Sequence, residues 1–548
     1  MDPLSLHPHK TMLTEQYRQG KLSRREFMRL SALVGVSLGA ASLALPWDTA
    51  WAQASTPQRG GMLKVASVIH KLSNPAQISW GKTANILRQV AEYLTVTGPD
   101  NITRPFLARD WLASEDLKTW TFNLRRGIHF NNGDEFTADD VLFTLNLWLN
   151  KDAKSSMLGL VGGYLSPSGI EKTGPYQIVL HLKRPEIGLP EHFFHYPAFI
   201  LNHRTFEGDF RKAPHGTGPY TLETYKESEI AVLKARPDYW QMGTDGKPLP
   251  YLEGMTFLEI GSESVPQLAA LQSGEVDMID LSDSGNPSVM LAAKKDPNLA
   301  VRSVTTSQVR VLRMRTDTAP WNDNRVRLAL KYCQRREKIL KLAYFNEGML
   351  GQDFHVYPGH PEYCPQPTPT YDPDKARALL KEAGFPEGIR VELSVGSDWS
   401  DVMRFAEILQ EDAGPAGMNI QIKAMPVSQY WEQWTELSLG ITPWTHRPLS
   451  TMVLSLAYGL DDQGQPVAWN ETKWVDSEFQ SLLNQANGIL DIEKRRKIFC
   501  RLEAIQQERG SIGIAFWQNL WMVTSKKLKG VSAHPNLYML FNQAYFEA

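Results

Sequence analysis

Cysteine is scarce: three in 548 residues. That excludes a disulfide-dense secreted scaffold. An excess of charge is also missing. Lys and Arg number 58 against 60 Asp and Glu, a formal net charge of -2. A dedicated nucleic-acid binder would show a basic surplus. There is no internal repeat and no low-complexity segment. No apolar run reaches the roughly 20 residues that a membrane-spanning helix needs. After residue 52 there is no Gly-x-Ser-x-Gly elbow, and the chain has no His-Glu-x-x-His and no phosphate-binding loop. Gly60-Gly61 and Gly162-Gly163 are too short to cradle a phosphate. What is present is a globular composition, 42% apolar and 22% charged, in a chain long enough for two or more lobes. The 16 Trp are numerous enough to need a reason.

The first fifty residues read as an address. Residues 1–22 are polar and carry no strong periodicity. Ser23-Arg24-Arg25-Glu26-Phe27-Met28 has the pattern of a twin-arginine export signal, and an apolar stretch follows from Leu30 to Leu45. Gly35, Gly39 and several Ser and Ala dilute that stretch. Ala50-Trp51-Ala52 is a small-x-small cleavage site, and Ala52-Gln53-Ala54 is an equally legal one. No Cys lies nearby, so there is no lipid attachment point. A cleaved signal over 1–52 and a soluble periplasmic protein are expected. Removing its six basic and four acidic residues leaves 52 against 56, a net charge of -4.

Periodicity organises the rest. Residues 62–70 read as a first strand and 83–93 as a helix. Residues 119–124 alternate as a strand, and 176–182 is another. Thr137-Ala138-Asp139-Asp140 is a capping box opening a helix with Val141, Leu145 and Trp148 on one face. Residues 219–234 read as two strands about a turn at Glu227-Ser228. Later the pattern changes. Asp372-Pro373 starts a helix that Gly384 ends. A strand at 389–396 leads to a helix capped by Ser397 or Asp398 and ending at Gly414. A strand at 419–425 and a helix from Ser428 to Glu436 follow. That order predicts an α/β lobe with a largely parallel sheet.

Five ordered blocks carry a family resemblance. The first runs from Pro105-Phe106-Leu107-Ala108 and Trp111 through Thr119–Arg125 and Gly127-Ile128-His129-Phe130 to Phe136–Val141. The second is Gly216-Thr217-Gly218-Pro219-Tyr220 with Pro237-Asp238-Tyr239-Trp240. The third is Ala269-Ala270-Leu271 with Gly274–Asp277, and the fourth is Asn322-Asp323 with Arg325–Leu330. The fifth is Asp372–Ala376 through Gly384. Together they resemble the extracellular solute-binding proteins of family 5, the peptide- and nickel-type receptors of ABC importers. The resemblance implies an α/β, large two-lobed periplasmic binding protein fold, class II-like, with an extra N-terminal subdomain. It implies lobe I at 53–309, with the subdomain at about 107–185. Lobe II spans 310–514, and 515–548 returns to lobe I. Two hinge segments would cross near 308–315 and 511–517, and a ligand would be enclosed by hinge closure.

A solute site needs apolar walls and a few polar groups that fix orientation, and Trp supplies large area with few torsions to freeze. Trp120, Trp148 and Trp240 lie in structural blocks and are expected in the core. Trp399 sits between a strand and a helix start, where ligands gather in α/β sheets. Trp444, Trp469 with its neighbour Asn470, and Trp517 are expected on loops of the inserted lobe's return path, and all are candidate ligand contacts. Peptide binders of the family carry a Trp-x-Ala-Asp-Tyr-type motif whose Asp pairs with a peptide amine. Here the residues are Trp444-Thr445-His446-Arg447-Pro448, without the acid. Arg447 offers a planar fork suited to a carboxylate or phosphate, or else makes an interlobe or surface ion pair. His446 is a further candidate with a capacity to titrate. Asn74, where relatives often have Asp, keeps hydrogen bonding without charge.

His355, His360 and Cys364 form a loose cluster whose spacing fits no structural zinc pattern, and a packing loop is the expected role. No cofactor, metal site or catalytic residue is expected, and no essential disulfide among Cys333, Cys364 and Cys500. The reading is a monomeric receptor that delivers a peptide or peptide-like solute, with an anionic one as an option, to inner-membrane permease subunits after passing the twin-arginine translocase. A glycoside, an opine-like conjugate or a metal chelate are alternative cargoes. A periplasmic hydrolase, or a chaperone or sensor on the same fold, is the alternative function.

Overall fold

The computed structural model describes residues 9–35, 57–78, 81, 83–281, 287–461 and 463–547. Most of the expected apolar leader and both expected cleavage sites lie outside these residues. The chain forms two compact units. The first is Met1–Asp280, Ala293–Arg302 and Met522–Ala548, and the second is Leu281–Ala292 and Ser303–Trp521.

In the first unit, β1 (Met62–Ser67) is followed by the short ribbon β2 (Thr95–Thr97) and β3 (Thr103–Pro105). Next come β4 (Ala108–Ala113), β5 (Thr119–Leu124), β6 (Ile170–Gly174) and β7 (Gln177–His181). These four form an antiparallel sheet in the order β4-β5-β7-β6. β8 (Tyr220–Lys226), β9 (Ile230–Ala235), β10 (Gly254–Glu259) and β11 (Met278–Asp280) complete the unit's strands. β1 lies between β10 and β11 and is parallel to both, while β8, β9 and β10 are antiparallel neighbours. The expected turn between β8 and β9 is present, with Ser228 at φ 57°.

Two helices precede β1. α1 (Lys10–Arg18) corrects the reading of 1–22 as unpatterned, and α2 (Arg24–Leu33) carries the arginine pair. Ser23 and Glu26 form a reciprocal capping box at the start of α2, which satisfies two otherwise orphaned amides. Leu30 and Leu33 are buried, and the Leu33 carbonyl accepts the Trp111 indole N–H at 2.8 Å. The second capping box opens α3 (Ala138–Leu149) from Thr137 and Asp140, as expected, and Val141, Leu145 and Trp148 are buried along it. Trp120 is likewise in the core, whereas Trp240 is partly buried against Tyr239, Leu249, Tyr251 and Tyr545.

The helix expected over 83–93 is shorter, Thr83–Leu87. The carbonyls of Gln89, Val90, Glu92 and Tyr93 accept from the amides of Tyr220, Gly218, Ile200 and Leu107. The Gln89 carbonyl, which the Tyr93 amide would take in a helix reaching residue 93, is thus held by a tertiary partner.

The second unit is built on β12 (Leu299–Met314), β13 (Gly348–Leu350), β14 (Ile389–Gly396), β15 (Met418–Met425), β16 (Leu439–Trp444) and β17 (Ile512–Ser525). Its sheet order is β15-β14-β16-β12-β17, with β13 on β17. Both β12 and β17 run on into the first unit, which they enter at Arg302 and Met522. The sheet is mixed rather than largely parallel. β14 is parallel to β15 and β16, but β12 is antiparallel to β16, and β13 to β17.

α4 (Pro373–Glu382) begins as expected, with Asp372 accepting from the Lys375 amide. α5 (Ser400–Ala413) begins at Trp399, without a side-chain cap. The expected cap residues Ser397 and Asp398 instead bond to each other at 2.8 Å. α6 (Val427–Gln433), α7 (Ser450–Tyr458) and α8 (Ile492–Arg509) complete the elements used below.

Cys364 and Cys500 are joined in a disulfide across 136 residues, which corrects the expectation of no essential pair. One Cys lies in a loop and the other on α8, so their proximity is a product of the fold and leaves no spacing signal. Cys333 is buried and unpaired.

A candidate solute-binding face on the second unit

The register of β14 on β15 pairs Gly396 with Met425, so these parallel strands end at the same level. β16 runs the same way, from Ser394↔Gly440 on to Trp444. Ligands of open α/β sheets gather at such carboxyl ends, and here each end feeds aromatic side chains. Trp399 follows β14, Trp431 and Trp434 follow β15, and Trp444 ends β16.

These rings form a chain. Trp399 lies 5.5 Å from Trp431, and Trp431 lies 5.6 Å from Trp434. Trp434 lies 6.5 Å from Trp444 and 6.2 Å from Trp469, and the last two are 6.1 Å apart. The contacts are edge-to-face, each worth about 0.5–1.5 kcal/mol beyond the area it buries. Trp444 is buried, whereas Trp399, Trp431, Trp434 and Trp469 are partly exposed. A Cβ on Gly396 would stand 2.6 Å from the Trp399 ring, so the missing side chain is what lets that indole lie over the strand end.

Beneath the rings is a closed polar network. Glu471 is buried and accepts from Trp444 Nε1 at 2.7 Å and from Thr442 Oγ1 at 2.6 Å. Arg313 Nε stands 3.2 Å from the same carboxylate. The Arg313 guanidinium also donates to the carbonyls of Trp434 and Leu437, and the Tyr430 hydroxyl bonds Thr442 Oγ1 at 2.8 Å. Burial pushes the Glu471 carboxyl up, while Arg313, Thr442 and Trp444 pull it back. A Cβ on Gly440 would meet Tyr430 Oη at 2.8 Å and Arg313 Nη2 at 3.0 Å, so this position admits only glycine without a shift. A second buried pair, Arg310 with Asp401 at 2.6 Å, is completed by Gln518 Nε2 at 2.7 Å.

The sequence-expected residues are distributed as follows. Trp399, Trp444 and Trp469 belong to the aromatic chain, but Trp444 is on a strand rather than a loop. Trp517 is also on a strand, β17, buried against Tyr357. Asn470 is buried, donating to the Trp474 carbonyl and accepting from Thr472 Oγ1. His446 is buried, and its Nδ1 accepts from the Ser307 amide at 2.9 Å. Arg447 is buried, with its guanidinium turned onto Thr445 Oγ1 and the carbonyls of Thr445 and His446. Its own carbonyl accepts from His360 Nε2 at 2.8 Å. Asn74 is in the first unit, where it caps the turn Pro75–Gln77 through the Ala76 amide.

The loose cluster resolves into packing. Cys364 is in the disulfide, and His355 Nδ1 bonds the Tyr458 hydroxyl at 2.9 Å. Burial, with Arg447 and His360 adding to it, pushes the His355 imidazole down to about 3. Among the described residues no group of three or more His, Cys, Asp or Glu is placed to hold a metal ion.

Sequence reasoning missed Trp431 and Trp434. Their place just beyond β15, at a strand end followed by a helix start, was a usable signal, the same one that singled out Trp399. It also missed Glu471 and Arg313, whose burial leaves no local trace.

Parallel strands bearing an aromatic face at their carboxyl ends are where open α/β sheets gather ligands. The model of the bacterial extracellular solute-binding proteins, family 5 Middle, matches residues 103–464. The chain belongs to this family. It is 26% identical over 466 residues to the dipeptide-binding protein of Escherichia coli, covering 79% of this chain and 84% of that one. It is 29% identical over 328 residues to the glutathione-binding protein GsiB of Salmonella choleraesuis, 59% of this chain and 61% of that one. Among solved structures, the periplasmic binding protein DppA of Helicobacter pylori with the peptide STSA matches with a TM-score of 0.77 and 21% identity. That match covers 90% of this chain and 99% of the other. AgaA of A. tumefaciens with agropinic acid matches with a TM-score of 0.76 and 20% identity, over 89% and 100%. These likenesses establish the α/β binding-protein fold. No helix among the described residues is long and apolar enough to cross a membrane.

Proposed function

We propose that this protein is the periplasmic solute receptor of an ABC importer, not an enzyme. It captures a small molecule, holds it against the second unit's strand ends and hands it to permease subunits in the inner membrane. The observation that carries the reading is the aromatic chain at the carboxyl ends of β14, β15 and β16, in a chain of this family. Ligand stabilises the bound conformation by differential affinity. Export through the twin-arginine translocase and removal of residues 1–52 belong to the same proposal. The exposed arginine pair at the start of α2 supports it.

The relatives make a short peptide or peptide-like solute the first reading of the cargo. A non-peptide solute, such as a glycoside, an opine-like conjugate or a metal chelate, is favoured by one observation. Trp444–Pro448 has no acid for a peptide amine, and Arg447 Nη1 is bonded within its own turn, to Thr445 Oγ1 and the carbonyls of Thr445 and His446. Native mass spectrometry of the purified protein tests the function. A small molecule bound one-to-one, with a higher melting temperature when it is added back, is the expected result. A bound protein client and no small ligand would sink the proposal.

A further inference from the structure

Resting on the export reading, we propose that residues 9–35 are a clasp that holds the start of the expected leader on the folded first unit, so that a translocase must pull it off before reading it. The first argument is fit. α1 and α2 meet through Tyr17 and Phe27, whose rings stack at 4.7 Å. Leu13, Leu22, Leu30, Leu33 and Val34 are all buried. A signal that acts only by being read asks nothing of Leu13 or Leu22, which precede the arginine pair. Gly35, at φ 81°, closes the segment, and a Cβ there would stand 1.9 Å from the Trp111 carbonyl oxygen. Only glycine lets the chain come this close to β4.

The second argument is the origin of the polar contacts. His9 Nε2 lies 3.1 Å from the Ser114 carbonyl, and Arg25 donates to the Asp100 carbonyl at 3.1 Å. Arg29 stands 3.8 Å from Glu191, with both side chains buried. The Trp111 indole donates to the Leu33 carbonyl at 2.8 Å. These partners are spread from Asp100 to Glu191, so they come together only when the first unit has folded. The clasp is therefore a property of the folded precursor. It covers Leu30–Val34, where the expected apolar stretch begins, and leaves Arg24 and Arg25 exposed. A translocase that needs both the pair and the apolar stretch engages only molecules whose clasp is open, and its apparent affinity falls by that fraction.

The test uses the full 548-residue chain, purified from the cytoplasm, and a synthetic peptide of residues 9–35. Hydrogen exchange read by mass spectrometry follows the amides of residues 24–34. In the full chain they are expected to exchange about tenfold more slowly than in the peptide, or slower still. Leu13→Asp and Gly35→Ala leave Arg24, Arg25 and every residue after 52 as they are, and both should bring exchange to the peptide's rate. Trp111→Phe, which keeps a ring and loses the N–H, should lower the protection from the first unit's side. In pulse-chase labelling with the translocase limiting, the Leu13→Asp precursor should leave the cytoplasm faster by about the factor of protection it has lost. Peptide-like exchange in the unaltered chain overturns the inference, as does lost protection in Leu13→Asp with no gain in export rate. The precursor with Arg24 and Arg25 both changed to Lys separates the two readings. It should keep its protection while its export stops; unchanged export refutes the twin-arginine route, whereas lost clasping shows only in the exchange.

Discussion

Trp444 donates its indole N–H to Glu471 at 2.7 Å, and both side chains are buried. The bond ties the end of β16 to the segment after Trp469. Arg313, from the neighbouring strand β12, compensates the carboxylate. Glu471→Ala leaves the Arg313 charge buried without its partner and should cost about 3–5 kcal/mol. Glu471→Gln keeps an acceptor for Trp444 and should cost less. Urea unfolding of the two variants measures the difference, and equal losses would show that the acceptor for Trp444 adds nothing beyond the charge that both variants remove.

The Cys364–Cys500 bridge closes a long loop and fastens the segment before α4 to α8. Its reduction should destabilise the protein by about 2–5 kcal/mol, read as a lower melting temperature in dithiothreitol and in Cys364→Ser with Cys500→Ser. Burial pushes the Cys333 thiol up to about 12. The native oxidised protein should therefore show no reactive thiol. One should appear on unfolding and all three on unfolding with reduction. A reactive thiol in the native oxidised state would contradict this arrangement.

Glu503, buried on α8, gives a pH dependence. Burial and the neighbouring Glu362 push its carboxyl up to about 9, against the pull of the Cys364 amide. Between the ordinary carboxylate value near 4.5 and about 9 the folded protein holds a proton that the unfolded chain releases. Stability therefore falls as pH rises through that window. Glu503→Gln should flatten the fall and leave the variant more stable than the parent at pH 8. Buried Glu92 and Glu186, each pushed up to about 7, add a similar slope that ends near pH 7. A Gln variant with the parent's full slope would place the effect elsewhere.

The proposed twin-arginine route gives a cellular prediction. Changing Arg24 and Arg25 together to Lys should stop export, leaving precursor inside the cell by fractionation and immunoblot. Unchanged export would refute the twin-arginine route.

Legibility followed the range of the interactions. The Thr137–Asp140 capping box, the Asp372 cap of α4 and the alternation of β5 were readable because each depends on neighbours within a few residues. The helix expected to reach residue 93 failed where a distant segment, through the Tyr220 amide, claimed the Gln89 carbonyl. The cap of α5 was misread because Ser397 and Asp398 bonded to each other.

The candidate site divides in the same way. Trp399 could be found because a strand end followed by a helix start is a local pattern. Trp431 and Trp434 were available by the same rule. Arg447 could be read as an anion fork because sequence gives residue type and not direction; the fold turns its guanidinium onto its own backbone.

Residue order alone was enough for most element types and for the family, since each is written in short strings of side chains. The Cys364–Cys500 bond, the matching of Arg313 to Glu471 and the alignment of the Trp residues at one sheet end were settled only in three dimensions. Burial and proximity between residues far apart in the chain arise when strands take their register, and it is burial that makes a carboxylate demand a partner.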